Sequence, residues 1–146
     1  MNRLDHIHAL TVNNDRPLQM RGADRLLLWL RMQYEIIPVD EAGSEPYRVT
    51  TRAYTYEIQS ASGQAVITWH WHPGSKMTEP HAHMGTTQLA EDSVLSNKDH
   101  IATGRVSMES VIRTCIAELK VPARRDDWNE VLALREGLFK LHRSWN

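Results

Sequence analysis

A chain of 146 residues with 17 Lys and Arg against 18 Asp and Glu carries a formal charge of −1 at pH 7, so net charge argues for no polyanionic or membrane-surface partner. That length suits one core burying roughly two-thirds of the unfolded-chain surface, and with no repeat or linker the reading is a single globular domain over 1–146. The lone Cys115 excludes an intrachain disulfide, and without a signal-like tract or a run of about 20 apolar residues the expectation is a cytoplasmic protein with no membrane segment.

Residues 6–12 alternate loosely and predict a short edge strand, ended by Asn13-Asn14-Asp15-Arg16-Pro17. The run Leu26-Leu27-Leu28-Trp29 is ambiguous, because Asp24 is placed to cap a helix there. Beyond it Leu30, Met32, Tyr34 and Ile36 alternate with Arg31, Gln33 and Glu35, which favours a strand up to Pro38. Residues 47–59 are rich in Thr, Tyr and Val and predict a long strand. A turn at Ser60-Ala61-Ser62-Gly63 and a returning strand over 64–72 complete an antiparallel hairpin, closed by Pro73-Gly74. Residues 89–95 are expected to add a short irregular strand.

The last third changes period. Ser107 stands at a helix cap with Glu109 in the first turn, and Met108, Val111, Ile112, Cys115, Ile116 and Leu119 recur on one face. Cys115 in that stripe reads as a core thiol. After Pro122, Asp127-Trp128-Asn129-Glu130 has capping-box spacing before Val131, Leu132, Leu134, Leu138 and Leu141, so a second helix is predicted. Strands first and helices last predict an α+β fold, a small antiparallel sheet with C-terminal helices packed on one face.

Six of the eight histidines form His-x-His pairs: His6/His8, His70/His72 and His81/His83. On a strand such a spacing puts both rings on one face, and Trp69 and Trp71 need burial more than His70 and His72 do, so the tryptophans are expected inward. Residues 73–80 are short enough to bring the two later pairs together. His70, His72, His81 and His83 are then candidate ligands for a divalent transition metal, Zn or Mn, with Glu79 or a water filling a position. An open position makes a bound water nucleophilic near neutral pH. Two other readings stay open: a metal-free catalytic or nucleic-acid-contacting site, and a structural or solvated cluster.

Gly74 before His81 and His83 is similar to the glycine-led first motif of cupins, but Thr87 and Gln88 stand where that family's glutamate belongs and no second histidine motif follows. No HExxH helix, P-loop, dinucleotide fingerprint or paired-cysteine site occurs. Arg105 and Arg113 are candidate phosphate-binding residues, since a guanidinium fork matches phosphate oxygens, although acidic neighbours also allow an ordinary charged face.

The layout resembles the TumE-like toxin-antitoxin proteins over about residues 47–120. The pieces that carry this are Tyr47-Arg48-Val49, Tyr54-Thr55-Tyr56, Gly63, His81-Ala82-His83 and Gly104-Arg105-Val106-Ser107-Met108-Glu109-Ser110. The resemblance implies a bacterial toxin-antitoxin component acting on RNA, with His81 and His83 as the functional histidines. His70-Trp71-His72 and the longer C-terminal helix depart from that layout. The expectation is a histidine-dependent, metal-assisted RNA phosphodiesterase with His81 and His83 as catalytic residues and single-stranded RNA, or a protein such as an antitoxin, as partner. The rival is a non-enzymatic regulatory or interaction domain that uses its histidines structurally.

Overall fold

The long central hairpin follows from two β-rich segments that share one turn. In the computed structural model, which describes residues 6–43 and 45–144, β4 (Tyr47–Gln59) and β5 (Ala65–Trp71) pair antiparallel, with Gly63 supplying the positive φ of 81° that the turn between them requires. Their partners complete one sheet. β3 (Leu27–Pro38) lies on the other side of β4, β6 (His81–Met84) pairs with β5, and β7 (Ile101–Ala102) with β6, all antiparallel. β1 (His8–Thr11) and β2 (Leu18–Gln19) pair successively along the free side of β3. The order is β1-β3-β4-β5-β6-β7, and the short β8 (Arg143–Ser144) adds a parallel pairing to the start of β4.

The helices α1 (Met108–Ala117) and α2 (Trp128–His142) follow β7, α1 packed on the sheet and α2 beside it, giving the mixed α+β fold with C-terminal helices read from the sequence. Ser107 caps α1 as expected: its Oγ accepts the Ser110 amide at 3.1 Å. The Tyr54 hydroxyl accepts the Val106 amide at 3.0 Å and so ties the start of the helix to β4. Val111 and Cys115, one turn apart, are buried with Leu28, Leu30, Met32, Tyr54, Tyr56, Ile58 and Trp71. Each such side chain contributes roughly 1.5–3 kcal/mol of apolar burial. α2 leans on α1 instead: Glu136 accepts hydroxyls from Ser107 at 2.7 Å and Ser110 at 3.1 Å.

Two local expectations are revised. Leu27, Leu28 and Trp29 belong to β3 and not to a helix; Leu28 and Leu30 stand opposite Ile58 and Tyr56 and are buried, while Trp29 on the other face donates its indole N–H to Asp15 at 3.0 Å. Residues 89–95 form no strand. Val94 is fully exposed and no neighbouring strand is paired with this stretch, so its apolar residues stay in a surface loop. At the start of α2 the Asp127 carboxylate is gripped by Arg125, with both contacts at 2.7 Å. No helix among the described residues is long and apolar enough to cross a membrane.

Candidate metal centre

Strand pairing assembles the histidines. His70 stands opposite His81 and Thr68 opposite His83 across β5 and β6, while His81 stands opposite Ala102 across β6 and β7. Continuing that antiparallel register by two residues brings His100, just before β7, alongside His83. Side chains alternate across a strand, so His70, His72, His81 and His83 leave one face of the sheet while Trp69, Trp71 and Ala82 leave the other. Trp71 accordingly joins the core with Tyr54 and Tyr56, and the two later His-x-His pairs meet in space.

Three rings make the tightest group. Centroids of His81 and His83 are 5.0 Å apart, and each lies 4.7 Å from His100. One nitrogen from each of these three falls within 4.8 Å of the others, a set capable of holding a metal ion. The Nδ1–H of His81 donates to the Glu79 carbonyl at 2.8 Å, which orients the ring and leaves Nε2 as donor to an ion. Nδ1 of His83 is buried and has no hydrogen-bond partner among the described residues, as befits a nitrogen left for a ligand.

His70 stands beside this group. Its ring is parallel to that of His81 at 5.5 Å and edge-on to His83 at 5.3 Å. His72 is turned toward β4, where its Nε2 lies 3.0 Å from Thr55 Oγ1. Burial, with the neighbouring His83, His81 and His72, pushes His70 down to about 4 against the pull of Glu57. Burial and then His81 also lower His72. For His83, burial, His100 and His81 lower the value, and the carbonyls of Asp99 and Asn97 oppose them. These shifts favour the neutral form of the three imidazoles, the form that binds a metal.

The other sequence candidates lie elsewhere. Arg105 places its guanidinium carbon 3.7 Å over the Trp71 ring, which leaves β5 on the side opposite His70 and His72. Arg113, on α1, contacts Glu136 at 3.4 Å and Asn129 at 3.3 Å, joining the two helices. Glu79 supplies its carbonyl to His81, and its carboxylate acts on Arg105. His8 stacks on Tyr34 at 5.3 Å in β1, separated from β5 by β3 and β4.

His100 has no His-x-His signature and escapes pattern reading; recognising residues 101–102 as a strand against β6 is the only signal that finds it. Two open depressions flank the cluster. One of about 410 Å³ is lined by His70 and His83 with Gln64, Thr68, Thr87 and Asn97. The other, about 520 Å³, is lined by His70, His72, His81 and His100 with Ser75, Lys76 and Met77. Comparison of the chain with protein-family models, curated proteins and solved structures finds no match.

Proposed function

We propose that this protein is a mononuclear metal-dependent hydrolase whose ion, zinc by the preference of imidazole donors, is held by His81, His83 and His100. The observation that carries the reading is the three-nitrogen group within 4.8 Å, with His81 and His100 opening onto one depression and His83 onto the other. Three protein ligands leave a tetrahedral ion one position for water, whereas closed structural sites use four. An ion held by His81, His83 and His100 would supply an activated water near neutral pH and a Lewis acid for a substrate oxygen. Imidazole suits zinc, while carboxylate and water ligands suit manganese. His81 is held for this role by Glu79, and His70 walls the pocket beside the ligands.

Single-stranded RNA as substrate, and a toxin-antitoxin role, rest on the layout resemblance alone. The non-enzymatic alternative has one observation in its favour: an ion on these ligands would staple the segment leading to β7 onto β6, as a structural clip does. Elemental analysis of tag-free protein purified without a metal column, with a panel of nitrophenyl esters and phosphodiesters, separates the two. The hydrolase reading expects about one zinc per chain and turnover lost in His81→Ala and His100→Ala. Zinc bound with no turnover across the panel returns the ion to the structural role, and no bound or bindable ion overturns the centre itself.

A further inference from the structure

Resting on the metal-centre reading, we infer that the ligand of this site is a small oxyanion, one oxygen on the ion and a second anionic oxygen paired with Lys76. Imidazole ligands bring no negative charge to a divalent ion, unlike a site that includes a carboxylate ligand. Around it, no Asp or Glu lines either depression among the described residues. The carboxylates that act on these rings are engaged: Glu57 accepts from Thr68 at 2.9 Å and Gln59 at 2.6 Å, and Asp99 accepts the Ser96 amide at 2.7 Å. With an ion bound the trough is positive along its walls, Glu57 and Asp99 acting on His70 and His100 only from outside them.

Lys76 decides which side the anion takes. It lines the depression that His81 and His100 open onto and has no ion pair among the described residues. Its loop is anchored, since the Trp71 indole donates to the Thr78 carbonyl at 3.1 Å and the Ser75 amide to the His72 carbonyl at 2.9 Å. The depression beyond His83 offers only uncharged donors such as Thr87 and Asn97 and suits a neutral part of the same molecule. Arg105 and Arg113 have their places on the helix side of the sheet, so the anion contact passes from them to Lys76.

Cobalt-substituted, tag-free protein tests this without requiring turnover, because the visible spectrum of the ion reports a change of ligand. Inorganic phosphate, acetate and azide are titrated into wild type, Lys76→Met and Thr87→Val. Phosphate should perturb the spectrum of wild type, Lys76→Met should weaken phosphate at least about fivefold while leaving azide unchanged, and Thr87→Val should behave as wild type. Equal weakening of acetate would identify a carboxylate as the second source of the same chemistry, whereas an effect on phosphate alone identifies a phosphoryl group. Cobalt bound with no response to phosphate or acetate, or a Lys76→Met titration identical to wild type for both, overturns the inference and leaves the metal centre standing. Failure of cobalt to bind overturns the metal centre, and the inference falls with it.

Discussion

The rings of His81 and His100 lie 4.7 Å apart although they come from different strands' ends, His81 opposite Ala102 and His100 two residues before it. The centre therefore depends on the β6–β7 pairing as much as on the His-x-His spacing of β6. His100→Ala should weaken zinc binding at least as much as His83→Ala, by more than the roughly 10–100-fold typical of losing an outer-shell partner. His70→Ala should cost less, and His8→Ala, beside Tyr34, nothing. Calorimetric titration of tag-free protein measures all four; an unchanged affinity in His100→Ala would remove this residue from the centre.

Glu136 is held down to about 2, first by the Ser107 hydroxyl and further by Ser110 and Lys140, against the opposing effect of burial. Its folded value lies below its ordinary 4.5, so its contribution to stability is full above about pH 4.5 and is lost as pH falls toward about 2. Glu136→Gln should lower stability at pH 7 by about 1–2 kcal/mol and flatten the dependence on pH across that window. Denaturant unfolding at a series of pH values checks it. Parallel wild-type and variant curves would show that the carboxylate charge does not join α2 to α1.

Gly85 follows the ligand strand β6 and donates its amide to the Val66 carbonyl at 2.8 Å. A Cβ on it would stand 1.7 Å from the Ala65 carbonyl oxygen and 2.5 Å from its carbon, backbone atoms that cannot swing aside. Gly85→Ala should destabilise by about 3 kcal/mol or more and loosen zinc binding by moving His83. Gly104, whose Cβ would meet nothing within 4 Å, is the control, and Gly104→Ala should be near neutral. Equal thermal midpoints for the two variants would refute the close approach.

What the sequence by itself determined is what rests on local period and chemistry. Residues 47–59 and 64–72 read as strands because Thr, Tyr and Val fit a pleated surface and Gly63 takes the turn's positive φ, and Ser107 reads as a cap because its hydroxyl reaches an amide three residues on. That His70 and His72 leave one face, as do His81 and His83, was also legible from the two-residue spacing; that His70 meets the second pair while His72 turns to Thr55 was not, because it depends on how β5 pairs with β6 and β4. Tertiary structure decided the rest. Leu26-Leu27-Leu28-Trp29 satisfies either period, and only the burial of Leu28 and Leu30 against Ile58 and Tyr56 of β4 selects the strand. Arg113 looks available for phosphate until α2 brings Glu136 and Asn129 beside it. His100 becomes a candidate ligand because two residues, Ile101 and Ala102, find backbone partners on β6; a strand that short has no period of its own and is defined by the neighbour that pairs with it.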